Sequence, residues 1–199
     1  MKAVLLCAGA GTRLRPLTFE RPKHLLPVGG RAVLDWVLSD LADAGVREAI
    51  MVVGCESSHL REFVGDGSRW GMSAAYAVQD KQLGTGHAVM AAREYLTGEG
   101  YALVAAGDMP LLREETLKKL IDTAREQRLG VCVLSATIPD PSGYGRIVRE
   151  GGCVARIVEH RDATEEQRAI CEINTSVYCF SIPALREALD HVSNANDQG

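Results

Sequence analysis

The chain has 199 residues, of which 46% are hydrophobic, 24% charged and 5% aromatic, and this composition excludes an intrinsically disordered protein. The length is enough for one well-buried core, so neither a disulfide nor a structural metal is needed for stability. Twenty-two basic and 26 acidic residues leave a net charge of −4, which disfavours nucleic acid and anionic membranes as partners.

The first two thirds of the chain alternate between short apolar runs and segments with helical spacing of apolar residues. Residues 2–7 are predicted to form a buried strand, and a long loop then runs to about Gly30. The elements predicted after the loop are helix 32–44, strand 49–53, helix 57–64, strand 73–78, helix 86–96, strand 101–106 and helix 113–128. This alternation predicts a parallel sheet with helices on both faces, whose ligands collect at the carboxyl ends of the strands.

The sequence pattern changes in the last third of the chain, where glycines bracket the short apolar runs. The predicted elements are strand 131–137, a hairpin of 146–149 against 154–158, a capped helix beginning at 164–167, strand 173–181 and a helix opening near Pro183. The polar residues 193–199 are expected to be a frayed tail or a cut edge. The sequence therefore predicts an α/β fold with a mostly parallel, mixed sheet and a small antiparallel β excursion.

Targeting signals and cysteine spacing favour a cytosolic protein. No apolar run approaches the length of a membrane span, and the apolar start at residues 1–7 is too short for a signal peptide. The six cysteines show neither C-x-x-C nor H-x-x-x-H spacing, so we expect reduced thiols rather than disulfides or a zinc site.

The loop after the first strand is a candidate phosphate site. Gly9 and Gly11 allow several backbone N–H groups to face one anion, although a flexible surface turn would have the same composition. Arg13 and Lys23 follow in a stretch stiffened by three prolines, and two cations above a bed of N–H groups suit a triphosphate. The alternative for both cations is ordinary solvated surface charge.

Three later segments carry further candidate residues. Gln79 could pair with the edge of a pyrimidine, and Gly84 could let a base lie against the backbone, whereas Thr85 could simply cap a helix. Asp108 follows a predicted strand, where a carboxylate could hold Mg²⁺ or merely begin a turn before Pro110. The last candidates lie in the final third of the chain and could bind sugar hydroxyls, although each could also be a turn or surface group. They are Gly145, Glu159 and Asn174.

Taken together, these segments resemble the sugar-phosphate nucleotidyltransferase family over nearly the whole chain. That family's signature is similar to the opening L-C-A-G-A-G-T-R-L-R-P-L-T and the following R-P-K-H-L-L-P-V-G-G. Within them, the portion L-R-P-L-T with P-K-H-L-L-P-V is closest to hexose-1-phosphate thymidylyl- and uridylyltransferases. The later motifs Q-L-G-T-G-H-A, G-D-M-P-L-L, P-S-G-Y-G-R-I-V-R, I-V-E-H-R-D-A-T-E-E-Q-R-A-I and E-I-N-T resemble the uridyltransferase domain of bifunctional N-acetylglucosamine-1-phosphate enzymes. The resemblance implies a Rossmann-like nucleotidyltransferase fold in a single domain, with residues 1–112 as the nucleotide-binding half and 113–199 as the sugar-binding half.

The resemblance also implies a role for each candidate residue. Arg13 and Lys23 would be the catalytic cations, with Arg13 the main stabiliser of charge, and Asp108 would bind Mg²⁺. The residues implied to bind the nucleotide are Ala8, Gly9, Gly11, Thr12, Gln79, Gly84 and Thr85. The residues implied to bind the sugar phosphate are Gly145, Glu159 and Asn174.

The implied reaction joins UTP and N-acetylglucosamine 1-phosphate with Mg²⁺ as cofactor. A phosphate oxygen of the sugar attacks the α-phosphorus in line with departing pyrophosphate, and since that oxygen is already an anion, no covalent intermediate or strong base is needed. Nucleic acid and membranes are not expected as partners, and an oligomer is possible but not implied.

Two features of the family are missing from these 199 residues. The second metal ligand of the family is an asparagine beyond the final N-D-Q-G, so we expect a truncated chain, an impaired activity or a substitute ligand. The β-helix of hexapeptide repeats that carries acetyl transfer in the bifunctional enzymes is also missing, so we expect no acetyl transfer.

Three other functions remain as alternatives. The first is the same reaction with glucose 1-phosphate and UTP or dTTP, and the second is a non-catalytic nucleotide-sugar sensor on the same fold. An NAD-linked oxidoreductase is the least favoured, because the loop lacks the third glycine of a dinucleotide fingerprint and Glu56 lies too far along the chain to be the ribose-binding acid.

Overall fold

The computed structural model describes residues 1–192, which form two compact units. The larger unit comprises Met1–Cys132 together with the chain from Cys179 onward, and the smaller unit is Val133–Tyr178. The assignment of nucleotide binding to residues 1–112 and sugar binding to 113–199 stays a prediction.

The larger unit is built on a parallel sheet with the strand order β5-β4-β1-β6. The strands that precede the smaller unit are β1 (Lys2–Leu6), β2 (Pro27–Val28), β3 (Arg31–Ala32), β4 (Glu48–Val53), β5 (Ser73–Val78) and β6 (Tyr101–Ala106). Leu6 of β1 is in register with Val52 on one side and with Ala106 on the other, so the carboxyl ends of the three strands coincide. Ala3, Val4 and Leu5 are almost completely buried, which explains the continuous apolar run.

The predicted strand and helix rhythm of the larger unit is confirmed. Its helices are α1 (Val33–Asp43), α2 (Ser58–Val64), α3 (Thr85–Ala91), α4 (Glu114–Glu126) and α6 (Ile182–Asp190). The apolar residues spaced three and four apart in α1 are buried, and Gly45 follows the helix with a φ of 90°, as its position predicts. Helix α1 contacts α4, and α3 contacts α6.

Several details differ from the predicted elements. The helix predicted over 86–96 ends at Ala91 and continues as a separate 3₁₀ turn, Arg93–Tyr95. The long loop after β1 contains two 3₁₀ turns, Thr12–Leu14 and Lys23–Leu25, and it closes with β2 and β3 paired antiparallel. Short polar and proline-rich turns carry no apolar periodicity, so pattern analysis could not locate them.

The smaller unit contains the antiparallel excursion. Its strands are β7 (Val131–Thr137), β8 (Arg146–Glu150), β9 (Cys153–Val158) and β10 (Glu172–Ser181), and its helix is α5 (Glu165–Arg168); β7 and β10 each extend across the boundary of the unit. Strand β8 pairs antiparallel with β9 and with β10, so the predicted hairpin is confirmed. The predicted capping box is present: Gln167 N–H donates to Thr164 Oγ1, and Thr164 N–H donates to Gln167 Oε1.

None of the helices formed by residues 1–192 has the length and apolarity that crossing a membrane requires. The predicted tail at 193–199 lies outside the described residues.

Candidate active site

The loop after β1 makes a tight turn in which Gly11 lies over the side chain of Lys23. Gly11 has a φ of 63°, and a Cβ added there would lie 3.1 Å from Thr18 Cγ2 and 3.2 Å from Lys23 Cβ. The Thr18 hydroxyl also donates a hydrogen bond to the Gly11 carbonyl at 2.8 Å. Backbone conformation and crowding therefore both disfavour a side chain at position 11.

Lys23 and Asp108 are in direct contact although 85 positions separate them along the chain. Asp108 follows the carboxyl end of β6, and the preceding Gly107 N–H donates to the Leu6 carbonyl at 3.1 Å. Lys23 reaches the same edge of the sheet from a 3₁₀ turn, and its ammonium donates to Asp108 Oδ2. A Cβ on Gly9 would lie 3.6 Å from that ammonium, so the glycine turn, the lysine and the aspartate form one polar cluster.

Two buried side chains pack directly behind this cluster. A Cβ on Gly107 would collide with Cys7 Sγ and would lie 3.2 Å from His24 Cδ2. Burial, reinforced by the charge of Asp108, raises the pKa of Cys7 to about 12. Burial and the adjacent Lys23 lower the pKa of His24 to about 4. Both groups are neutral at pH 7, so Lys23 and Asp108 supply the charge of this cluster.

The position of His24 behind the cluster was not predicted, because no spacing or motif distinguishes this histidine from a core residue. Its ring is completely buried, yet neither ring nitrogen has a hydrogen-bond partner among residues 1–192. A buried polar group without a partner lowers the free energy of unfolding by on the order of 1–3 kcal/mol.

Arg13 is not part of the contact between Lys23 and Asp108. It lies exposed in the 3₁₀ turn Thr12–Leu14, and its guanidinium makes no hydrogen bond or ion pair with the part of the chain that the structure describes. Thr12 is exposed in the same turn. The guanidinium of Arg13 is therefore available to a ligand.

The residues predicted to hold the base lie together after β5. Gln79 is buried, and its Nε2 donates to the Gly84 carbonyl at 3.2 Å and lies 3.2 Å from His87 Nδ1. Thr85 is the first residue of α3 rather than its cap, and the N-cap position is taken by Gly84 with a φ of 98°. Both contacts are made by Nε2 and neither by the amide oxygen, and together they orient the Gln79 amide.

An open cleft of about 890 Å³ runs along the carboxyl ends of β1, β4 and β5. It is lined by the loops that follow these strands, including Ala8, Gly9 and Gln79. Gln82, which sequence analysis did not single out, connects two of the loops because its Nε2 donates to the Ala8 carbonyl at 2.8 Å. The volume is in the range of small-ligand sites, roughly 300–1,000 Å³.

The three residues predicted to bind the sugar phosphate lie together in the smaller unit. The Asn174 N–H donates to the Gly145 carbonyl at 2.8 Å, and a Cβ on Gly145 would lie only 3.0 Å from Glu159 Oε1. The Asn174 side chain donates to the hydroxyl of Tyr178 at 2.7 Å, which adds a residue that the sequence motifs did not identify. The arrangement offers a carboxylate, an amide and a phenol around a glycine backbone.

Mg²⁺ prefers hard oxygen ligands, and the carboxylate of Asp108 supplies them beside the glycine turn. Among residues 1–192 there is no group of three or more His, Cys, Asp or Glu side chains that could hold a metal. Asp108 is nevertheless accessible, with a third of its side chain exposed, and its oxygen already binds a cationic group, the ammonium of Lys23. A single carboxylate fits Mg²⁺ when phosphates and water supply the remaining ligands.

Comparison with known proteins identifies a family. The description of the matching family is "Nucleotidyl transferase", and the match covers residues 2–198. The bifunctional protein GlmU of Acetivibrio thermocellus is 42% identical over 201 residues, and that of Geobacillus sp. is 44% identical over 199 residues. These alignments cover 100% and 99% of this chain but 42% and 41% of the relatives, so the chain spans about two fifths of their length.

A solved structure shows the same fold. The structure of a Bacillus anthracis protein, provisionally named a glucose-1-phosphate thymidylyltransferase, superposes with a TM-score of 0.82 at 23% sequence identity. The superposition covers 98% of this chain and 77% of the other. The predicted α/β nucleotidyltransferase fold is thereby confirmed.

Proposed function

Because the chain belongs to the nucleotidyl transferase family, we propose that it transfers a uridylyl group from UTP to N-acetylglucosamine 1-phosphate. The observation that carries the proposal is the contact of Lys23 with Asp108 beneath the glycine turn, whose Gly9 lines the same cleft as Gln79. That arrangement supplies a cation for phosphates, a carboxylate for a metal and an amide for a base.

In the larger unit, each group has a separate task. The N–H groups of the turn and the guanidinium of Arg13 bind phosphate oxygens, and Lys23 neutralises charge that accumulates on departing pyrophosphate. The Gln79 amide, held by its bond to the Gly84 carbonyl, pairs with the edge of uracil. Glycine at position 11 keeps the phosphates close to the backbone.

Asp108 is the residue that would hold Mg²⁺. When bound, the ion neutralises phosphate charge and orients the triphosphate. The surrounding neutral residues Cys7 and His24 leave the Asp108 carboxylate as the anionic group available for the ion in this cluster.

The smaller unit supplies the acceptor site. Glu159, Asn174 and Tyr178 offer hydrogen-bond acceptors and donors for sugar hydroxyls and for an acetamido group. The sugar phosphate oxygen attacks the α-phosphorus as a new P–O bond forms and the bond to the β-phosphate oxygen breaks. Catalysis rests on alignment and charge neutralisation, and no side chain is required as a nucleophile.

Pyrophosphate release tests the proposal and separates it from its alternatives. The whole chain is incubated with Mg²⁺, either UTP or dTTP, and either N-acetylglucosamine 1-phosphate or glucose 1-phosphate. The greatest kcat/KM is expected for UTP with the amino sugar. A preference for dTTP or glucose 1-phosphate would change the substrate assignment, and nucleotide binding without turnover for any pair would favour the sensor.

A further inference from the structure

Lys23 lies where the phosphate-binding and metal-binding parts of the candidate site meet. Its Cβ and Cγ lie 3.2 Å and 3.5 Å from the position of a Cβ on Gly11, so the start of the side chain is fixed beneath the turn. Its ammonium lies beside Gly9 and donates to Asp108 Oδ2. The same cation is therefore within reach of bound phosphates and of the carboxylate that would hold Mg²⁺.

Lys23 and Asp108 differ in their freedom to move. Gly107 packs closely against the buried side chains of Cys7 and His24, and its N–H donates to the Leu6 carbonyl at 3.1 Å, so the backbone that carries Asp108 is held at the end of the sheet. The end of the Lys23 side chain is flexible, and 22% of that side chain is exposed. If a second cation approaches Asp108, the ammonium is the group that moves.

We propose that Lys23 and the divalent metal ion compete for the carboxylate of Asp108, and that the metal displaces the ammonium toward the nucleotide phosphates. The proposal rests on the proposed function, because it takes phosphates beside Gly9 and Gly11 as the second partner of Lys23. Metal binding by itself is weakened, since the ion must first break the contact between Lys23 and Asp108. Metal and nucleotide consequently bind with positive cooperativity, because phosphates give the displaced ammonium a new partner.

The competition is tested by titrating the whole chain with Mn²⁺ alone, without nucleotide, and following binding by calorimetry. Lys23→Met and Lys23→Gln are each expected to bind Mn²⁺ about tenfold more tightly than the unmodified protein, because the competing cation is gone. Arg13→Met is the matched control: it removes a positive charge from the same loop without removing a contact to Asp108, and a change of less than about threefold is expected. Asp108→Asn should weaken binding by at least about tenfold.

Each other result of the titration contradicts the proposal. Unchanged or weaker Mn²⁺ binding in both Lys23 variants would show that the ammonium does not compete, and an equal gain in Arg13→Met would attribute the effect to net charge. Binding that is insensitive to Asp108→Asn would place the metal elsewhere. A failure of the proposed function would instead appear as missing pyrophosphate release, with the pattern of Mn²⁺ affinities retained.

A measurement on the unmodified protein does not depend on the folding of any variant. In an NMR spectrum of the lysine ammonium groups, saturation with Mg²⁺ should shift or remove the signal of Lys23. Lys2 is an internal reference, because its ammonium donates to Glu48 at 2.9 Å and to the Tyr95 carbonyl at 2.7 Å, and its signal should stay in place. A Lys23 signal that Mg²⁺ leaves unchanged would overturn the exchange.

Discussion

The side-chain amide of Asn174 donates a hydrogen bond to the hydroxyl of Tyr178 at 2.7 Å, while its carbonyl oxygen accepts one from the Ser176 N–H at 3.0 Å. The orientation of Asn174 is thus set within its own strand. Burial, with a contribution from the charge of Glu159, raises the pKa of Tyr178. The phenol therefore stays protonated at neutral pH.

Replacing Tyr178 with Phe is expected to weaken binding of the sugar phosphate. Loss of one hydrogen-bonding hydroxyl should raise KM for N-acetylglucosamine 1-phosphate about five- to tenfold, since such a bond contributes about 1 kcal/mol. Steady-state kinetics should show an unchanged KM for UTP. Tyr101→Phe, in the larger unit, is the control, and an equal rise in both KM values for Tyr178→Phe would contradict a role in the acceptor site.

Replacing Arg13 with Ala is expected to lower turnover. Because its guanidinium is free to bind phosphate oxygens whose charge grows in the transition state, kcat should fall on the order of 100-fold, with KM for the sugar phosphate little changed. Arg15→Ala is a control from the same loop and should lower kcat less than about threefold. Unchanged turnover in Arg13→Ala would remove this residue from the chemistry.

Ser176 has a φ of 62°, a left-handed conformation that is unfavourable for residues with a side chain. Ser176→Gly should therefore increase the free energy of unfolding by about 1 kcal/mol, because the N–H that donates to Asn174 is kept and the strain is removed. Thermal unfolding should show a rise in Tm of about 2–4 °C. Ser176→Ala keeps the strain and should give no such rise, and a lower Tm for the glycine variant would refute the prediction.

His24 should make stability depend on pH below neutrality. Its folded-state pKa of about 4 lies below the ordinary 6.5, so the unfolded chain takes up the proton first as the pH falls. The folded state is fully favoured above about pH 6.5 and loses roughly 3 kcal/mol between that pH and 4 through this one group. Urea unfolding at several pH values measures the loss.

His24→Leu provides the comparison that isolates this effect from the carboxylates that titrate in the same range. The variant removes two polar atoms that have no hydrogen-bond partner among residues 1–192, and it should be more stable than the unmodified protein by about 1–2 kcal/mol at pH 7. The difference between the two proteins should widen as the pH falls toward 4. A difference that is constant with pH would mean that the buried ring does not titrate as described.

Much of the fold was predictable because it depends on local patterns of the sequence. The apolar run of β1, the three- and four-residue spacing in α1 and the capping box at Thr164 each indicate one structure over a few residues, and each is confirmed. The candidate site was predictable only as separate segments. The catalytic role of Arg13 and the metal-binding role of Asp108 stay predictions, supported by geometry and family membership.

Composition, periodicity and motifs were enough to predict the strand and helix order, the family and the residue types available for chemistry, because each of these features is written along the chain. The folded chain was needed to reveal that Lys23 contacts Asp108, that Asn174 donates to Tyr178, and that His24 is buried with no hydrogen bond to the described part of the chain. These contacts are not visible in the sequence because parallel register brings together the ends of strands that are far apart in the chain. Burial then changes the protonation of a side chain according to neighbours that no local pattern reveals.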